Sequence, residues 1–342
     1  MSPGDVAAVP PQMRAVVLTG HGGPEQLTIR DDVPVPSPGI GEVLVRVRAA
    51  GVNNTDINTR VGWYAGGGWT GSFVFPRIQG IDACGEVVAV GDGVDRTRMG
   101  ERVIVEPCWT DAAGATVFLG SEVDGAFAEY VVVPAVAAHA VVSSMTDVEL
   151  ASFPCSWSTA ENLLVRAGVA AGAHVLVTGA SGGVGSAAVR LAAVRGAHVT
   201  GVAAAHKHDE LLSAGARTMI DRDASLSDVC GHDVFDIVID VVGGSRWPDL
   251  LAVLRPGGVY AVSGAIAGPI VELDLRTLYL KDLTLAGCTV LAPGVFAGLV
   301  RHIEAGEVQP MVAATFPLDR IVDAQEHFLR KSHVGKIVLT VG

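Results

Sequence analysis

One stretch limits what this chain can fold into more than any other: His174-Val175-Leu176-Val177-Thr178-Gly179-Ala180-Ser181-Gly182-Gly183-Val184-Gly185. It is an apolar strand running straight into a glycine-rich turn, and the helix former Ser186-Ala187-Ala188-Val189-Arg190-Leu191-Ala192-Ala193 follows. Unpaired backbone N–H groups at a helix start, with the positive end of the helix dipole, favour an anion such as a dinucleotide pyrophosphate. Glycine suits the turn because a Cβ would block close approach. The spacing is G-x-x-G-x-x-G at Gly179, Gly182 and Gly185, and among 42 glycines such a pattern means little alone. A second strand, Ala197-His198-Val199-Thr200-Gly201-Val202, completes a βαβ unit and supplies the missing context. Gly179, Ala180, Ser181, Gly182, Gly183, Val184 and Gly185 are the candidate cofactor-binding residues.

The end of the second strand bears on which dinucleotide binds. NAD sites carry an Asp or Glu there for the ribose hydroxyls. Here Val202-Ala203-Ala204-Ala205-His206-Lys207-His208 offers none, and Asp209 and Glu210 come too late. Lysine is scarce, at Lys207, Lys281, Lys331 and Lys336 only, so Lys207 at this point argues for a 2′-phosphate and for NADPH. A solvated helix start would explain the same charges without a ligand.

At 342 residues two domains are expected, and 49% hydrophobic with 18% charged residues fits a well-buried protein rather than a disordered one. A net charge of −12 gives no support for a nucleic-acid or anionic-membrane surface. Residues 1–12 read as a loose tail without signal-peptide features, and no apolar run reaches spanning length. The scattered cysteines Cys84, Cys108, Cys155, Cys230 and Cys288 read as reduced thiols, hence a cytoplasmic protein.

From Met13 to about Val142 short strands alternate with Gly and Pro turns, which suggests a barrel-like β domain. The alternation of Val43, Val45 and Val47 with Leu44, Arg46 and Arg48 signals a half-buried strand. From about Asp147 helices alternate with apolar strands such as Asp236-Ile237-Val238-Ile239-Asp240-Val241-Val242 and Gly258-Val259-Tyr260-Ala261-Val262-Ser263. That pattern predicts a doubly wound parallel sheet whose loops at 241–244 and 263–268 line the cofactor crevice.

Gly80-Ile81-Asp82-Ala83-Cys84-Gly85-Glu86-Val87-Val88-Ala89-Val90-Gly91, Gly100-Glu101-Arg102-Val103, Gly125-Ala126-Phe127-Ala128-Glu129-Tyr130, the glycine turn and Gly335-Lys336-Ile337-Val338-Leu339 stand in matching order. Together they resemble the medium-chain dehydrogenase/reductase superfamily over nearly the whole chain. The resemblance implies an α/β protein with a GroES-like β-barrel catalytic domain (13–155 and 290–342) and a Rossmann NADP-binding domain (156–289), with an active-site cleft between them. It implies a dimer or tetramer, a homodimer being expected here, joined through the edge of the nucleotide sheet, with 283–290 the candidate edge. It also implies cofactor contacts at Thr159, Val241, Gly264, Ala265 and Lys336.

In the family's alcohol dehydrogenases a catalytic zinc is held by a Cys before a T/S-D pair, the His of G-H-E and a later Cys. The matching positions here are Asn53, Ile81 and Cys155, and the four-cysteine structural lobe is absent. Two of three ligands are missing and Ile81 cannot ligate, so no metal is expected, and Cys155 reads as a small hydrophobe. A substitute trio of Asp82, Cys155 and Glu106 is a poor one.

Gly51-Val52-Asn53-Asn54-Thr55-Asp56 and Arg60-Val61-Gly62-Trp63-Tyr64 resemble the zinc-free branch of quinone oxidoreductases and enone or enoyl reductases. This implies NADPH-dependent hydride transfer to a quinone or α,β-unsaturated carbonyl, a small-molecule substrate. Asn53, Asp56 and Tyr64 are the candidate catalytic residues: the Asn53 amide, the Tyr64 hydroxyl or a cofactor ribose hydroxyl meets the developing oxyanion, and Tyr64 or water gives the proton. Many relatives carry Tyr where this chain has Asn58. Asn53 and Asp56 equally suit pinning a loop, and Tyr64 with Trp63 equally suits lining a pocket. The glycine run at 65–71 reads as a flexible loop or a lid. A zinc-independent carbonyl or imine reductase and a noncatalytic NADPH-binding sensor stay open.

Overall fold

The computed structural model describes residues 9–66 and 73–342. Most of the tail at 1–12 and of the glycine run at 65–71 lies outside the described residues. Contacts divide the chain into two units: Met1–Cys155 with Pro310–Lys331 and Lys336–Gly342, and Ser156–Gln309 with Ser332–Gly335.

The first unit is built from short strands, as the turn-dense sequence predicts. In chain order it holds β1 (Gln12–Leu18), β2 (Leu27–Pro34), β3 (Glu42–Val52), α1 (Asn54–Arg60), β4 (Arg77–Ile78), β5 (Cys84–Val90), β6 (Arg102–Val105), β7 (Cys108–Thr110), β8 (Thr116–Phe118), β9 (Tyr130–Pro134), β10 (Ala138–Ala140) and α2 (Asp147–Leu150). A three-stranded sheet has the order β2-β1-β4. Strand β3 is the hub of a seven-stranded sheet, pairing with β5 on one side and β9 along its first half. Its expected alternation holds at Arg46, Val47 and Arg48 and fails at Leu44, which is buried. Leu44 joins Val43, Val45 and Phe127 in the core, where burying such a side chain contributes about 1.5–3 kcal/mol.

The second unit follows the predicted strand and helix alternation. It takes up α3 (Pro154–Arg166), β11 (His174–Val177), α4 (Gly183–Val194), β12 (His198–Ala203), α5 (His208–Ser213), β13 (Thr218–Asp221), α6 (Leu226–Cys230), β14 (Phe235–Asp240), α7 (Trp247–Ala252), β15 (Leu254–Val262), α8 (Leu275–Leu280), β16 (Thr284–Gly287) and α9 (Val295–Glu304). Its six strands are all parallel, in the order β13-β12-β11-β14-β15-β16. The order reverses between β11 and β14, the switch point at which a Rossmann sheet opens a crevice beyond its carboxyl ends.

The return to the first unit is expected at 290 and occurs at 310. The reason is α9, which buries Val295, Phe296, Leu299, Val300 and Ile303. Asn162 on α3 reinforces this, donating to the Val290 carbonyl at 3.1 Å and accepting from the Ala292 N–H at 3.0 Å. The chain then forms β17 (Val312–Pro317), α10 (Ile321–Leu329) and β18 (Lys336–Thr340). Strand β18 runs antiparallel to β3 with Ile337 opposite Val52, so the same register brings Lys336 beside Asn53.

Candidate active site

The glycine turn has the geometry its sequence predicts. Gly179 follows β11, Gly182 caps α4, and the Gly182 N–H closes onto the Gly179 carbonyl at 2.9 Å. The first amides of α4, at Gly183, Val184 and Gly185, have no intrahelical acceptor by construction. A Cβ on Gly185 would lie 2.1 Å from the Gly179 carbonyl oxygen, so only glycine lets helix and turn meet this closely. The Ala180 N–H donates to the Val202 carbonyl at 3.1 Å, and the Ser181 carbonyl accepts from the Gly335 N–H at 3.2 Å. These contacts hold the turn in shape without using its forward-facing amides, and it fits a pyrophosphate.

Lys207 is not the solvated charge of the ligand-free reading. It is 6% exposed, and its ammonium lies 2.9 Å from the His333 carbonyl and 3.5 Å from the Ser181 hydroxyl. Burial, followed by the charge of Arg222, lowers its pKa, with Glu210 acting against them. Arg222 just follows β13 and escaped the sequence reading, since only the parallel pairing of β13 with β12 brings its backbone to the Ala203 carbonyl.

The two loops named at 241–244 and 263–268 meet beyond the carboxyl ends of β14 and β15. The Ala267 N–H donates to the Val242 carbonyl at 2.9 Å and the Gly244 N–H to the Gly268 carbonyl at 3.0 Å. Val241 donates its N–H to the Thr178 hydroxyl at 3.2 Å. Gly264 packs on the Val241 backbone, and Ala265 lies against Gly243. Thr159 sits half-buried in the middle of α3.

In the first unit Asn53, Asp56, Asp82 and Lys336 form one buried cluster. The Lys336 ammonium lies 2.5 Å from Asn53 Oδ1, 2.7 Å from Asp82 Oδ2 and 3.3 Å from the Val52 carbonyl. Asn53 Nδ2 donates to Asp82 Oδ2 at 2.8 Å and to the Gly51 carbonyl at 3.4 Å. The other Asp82 oxygen accepts the Cys155 N–H at 2.6 Å. Gly51 makes room, since a Cβ there would stand 2.3 Å from Asp82 Oδ2.

This geometry bears on two expectations. All three N–H groups of Lys336 are engaged inside the first unit, so it has none for a phosphate. The Asn53 amide is likewise hydrogen-bonded at both nitrogen and oxygen within this cluster, the arrangement of a residue that pins its loop. Asp56 shares that role, accepting the Asn53 N–H at 2.8 Å at the start of α1, while Gln79 donates to its carbonyl at 2.8 Å.

Asp56 is nevertheless unusual. Burial raises its carboxyl pKa to about 7; neighbouring Asp82 adds to this, while the Asn53 N–H, Lys336 and the Ile81 N–H oppose it. An acid raised in the folded state holds its proton while the unfolded chain releases it, so stability falls with pH between about 4 and 7 and levels off above. Asp56→Asn keeps an acceptor for Asn53 without the charge. Its loss of stability between pH 5 and 7.5, read from urea unfolding, is expected to be about 2–3 kcal/mol smaller than that of the parent. Parallel pH curves would show that Asp56 titrates normally.

Tyr64 lies in a short 3-10 turn after α1, half-buried, with its hydroxyl 3.5 Å from Asn58 Nδ2. Asn58 and Tyr64 are thus neighbours.

Family comparisons agree with both units. The alcohol dehydrogenase GroES-like domain matches residues 39–143 and the zinc-binding dehydrogenase domain residues 183–305. The acryloyl-coenzyme A reductase of Metallosphaera sedula is 30% identical, covering 96% of this chain and 100% of its own. Human quinone oxidoreductase is 28% identical, with 96% and 97% covered. A solved structure from Sinorhizobium meliloti 1021 is 45% identical, covers 98% of each chain and superposes with a TM-score of 0.91. The chain is a medium-chain dehydrogenase/reductase.

The second family domain is described by zinc, so the donor set of this medium-chain dehydrogenase/reductase matters. Asn53, Ile81 and Cys155 stand at the ligand positions. Ile81 has no donor atom, Asn53 is bound to Lys336, and burial beside Asp82 pushes the Cys155 thiol above its ordinary range. Asp82 already has both oxygens occupied, and Glu106 lies 2.9 Å from His139. These residues do not fit a catalytic zinc. Against Asp82 the protein holds a cation of its own, the Lys336 ammonium at 2.7 Å.

Proposed function

We propose that this medium-chain dehydrogenase/reductase is an NADPH-dependent reductase that works without zinc on quinones or α,β-unsaturated carbonyls. One observation carries the reading: the Lys336 ammonium fills the buried carboxylate pocket of Asp82, which leaves no ligand set for a Lewis acid. The quinone oxidoreductase and acryloyl-coenzyme A reductase relatives support the substrate class. Bound NADPH would supply the hydride. The glycine turn from Gly179 to Gly185 would hold its pyrophosphate, and Lys207 with Ser181 its 2′-phosphate. Val241, Gly264, Ala265 and Thr159 would line the remainder. Tyr64, steadied by Asn58, would deliver the proton that follows reduction, while Asn53, Asp56 and Lys336 keep the loop beneath it rigid.

The test is NADPH oxidation by chelator-treated protein against quinones, enones and ketones. Turnover of quinones or enones supports the proposal. Turnover of ketones alone overturns it in favour of a carbonyl reductase, and tight NADPH binding without turnover in favour of a noncatalytic sensor.

We also propose a homodimer through β16. That strand ends the sheet among the described residues, and Ile270, Leu275, Tyr279 and Leu280 nearby are exposed, Ile270 to 88%. An apolar edge of this kind invites a second strand. Light scattering is expected to give twice the chain mass, falling to the single mass for Leu285→Lys. A monomeric parent would overturn the assignment. Among the described residues no helix is long and apolar enough to cross a membrane.

A further inference from the structure

We propose that Asp240 is a positioning residue that sets the nicotinamide half of the dinucleotide site, acting as a hub for the loops beyond β11, β14 and β15. Asp240 is the last residue of β14 and is fully buried. Oδ1 accepts the Thr178 hydroxyl at 2.5 Å, the Val242 N–H at 2.9 Å and the Gly243 N–H at 3.2 Å. Oδ2 accepts the Tyr260 hydroxyl and, at 3.2 Å, the Gly243 N–H. No lysine or arginine is among these partners, so hydroxyl and amide dipoles alone solvate the carboxylate. Every donor lies at a sheet carboxyl end or on the strand beside it. Thr178 directly precedes the glycine turn, Val242 and Gly243 form the loop after β14, and Tyr260 belongs to β15.

The donors therefore converge from the switch point and the second half of the sheet. Thr178 extends the connection by accepting the Val241 N–H at 3.2 Å. The Asp240 backbone adds a third loop, its carbonyl accepting the Ser263 N–H at 3.2 Å. Trp247 presses edge-on against the Tyr260 ring, with centroids 4.7 Å apart at 83°, and holds its hydroxyl on target. Burial beside Asp240 pushes the Tyr260 hydroxyl pKa far upward, so it stays a donor. A carboxylate suits this hub because it only accepts; an amide would present hydrogens to groups that themselves donate.

In a Rossmann sheet the first three strands serve the adenosine nucleotide and the last three the nicotinamide nucleotide. The loop that Asp240 fixes belongs to the second set. The glycine turn has separate anchors, in Ala180 with Val202 and Gly182 with Gly179. Loosening the hub should therefore weaken one half of the ligand selectively.

This inference rests on the dinucleotide reading above, and the experiment separates the two. NADPH and adenosine 2′,5′-bisphosphate, which lacks the whole nicotinamide nucleotide, are titrated by fluorescence and calorimetry onto the parent, Tyr260→Phe, Thr178→Val and Thr178→Ser. Losing one charge-assisted donor should raise the NADPH dissociation constant about tenfold for Tyr260→Phe and Thr178→Val. The fragment should bind unchanged, and Thr178→Ser should behave as the parent. Equal weakening of both ligands, or of neither, would make the hub purely structural and overturn the inference while leaving the dinucleotide site standing. A parent that binds neither compound overturns the dinucleotide reading as well. Asp240→Asn is a fourth variant, with the single-donor changes retained because they spare the buried carboxylate.

Discussion

Lys336→Met should cost about 3–5 kcal/mol of folding stability, because it leaves the Asp82 carboxylate buried without its cation. The Lys336 and Asp82 side chains are 4% and 0% exposed, so water cannot replace the lost partner. The Asn53 carbonyl oxygen loses its ammonium at the same time, and α1 loses the fixed residue at its start. Because the Lys336 charge holds the Asp56 pKa down, the variant should push that group further up. Lys336→Met with Asp82→Asn removes both charges and should recover a large part of the loss, since no uncompensated charge is left at position 82. Urea unfolding of the four proteins of the cycle measures the coupling. A single-variant cost below about 1 kcal/mol, the range of exposed pairs, would show that the pair is hydrated.

The second large effect concerns cofactor choice. Lys207→Ala should raise the dissociation constant for NADPH about 10- to 100-fold, the value of a charge-assisted contact to phosphate, and leave NADH within a factor of two or three. Lys207 suits the role because the residue is 6% exposed and its ammonium lies beside the Ser181 hydroxyl and the His333 carbonyl. An anion arriving there would meet a cation that burial has left short of solvent. Arg222→Ala should act in the same direction more weakly, because its side chain is largely exposed and screened. Equal losses for both dinucleotides would place Lys207 outside the 2′-phosphate site.

How legible these features were depended on how local they are. The strand, glycine turn and helix around Gly179 to Gly185 could be read directly, because strand period, turn glycines and helix start are consecutive along the chain. The parallel sheet was legible for the same reason, since each βαβ unit is written in sequence order. Lys207 stands out in the sequence by its scarcity and its place at a strand end. Arg222 does not, because it lies one strand further on and only parallel pairing brings the two strand ends together. The sequence pattern places re-entry into the first unit at 290, and the structure places it at Pro310. The packing of α9 and the two Asn162 bonds decide it, and neither leaves a local mark.

The roles of Asn53, Asp56 and Lys336 show the same division more sharply. Their residue types and the missing zinc ligands were evident from the order of amino acids alone. What the side chains face was not. Lys336 and Asp82 are 254 positions apart, and they meet because β18 pairs with β3 in a single register that seats Lys336 against Asn53. A slip of one residue would have turned that lysine to the opposite face of the sheet. The amino-acid order determined the elements and the chemical inventory, since backbone preference and periodicity act over a few residues. Tertiary structure alone decided which charges are buried together, because desolvation and ion pairing depend on distance in space.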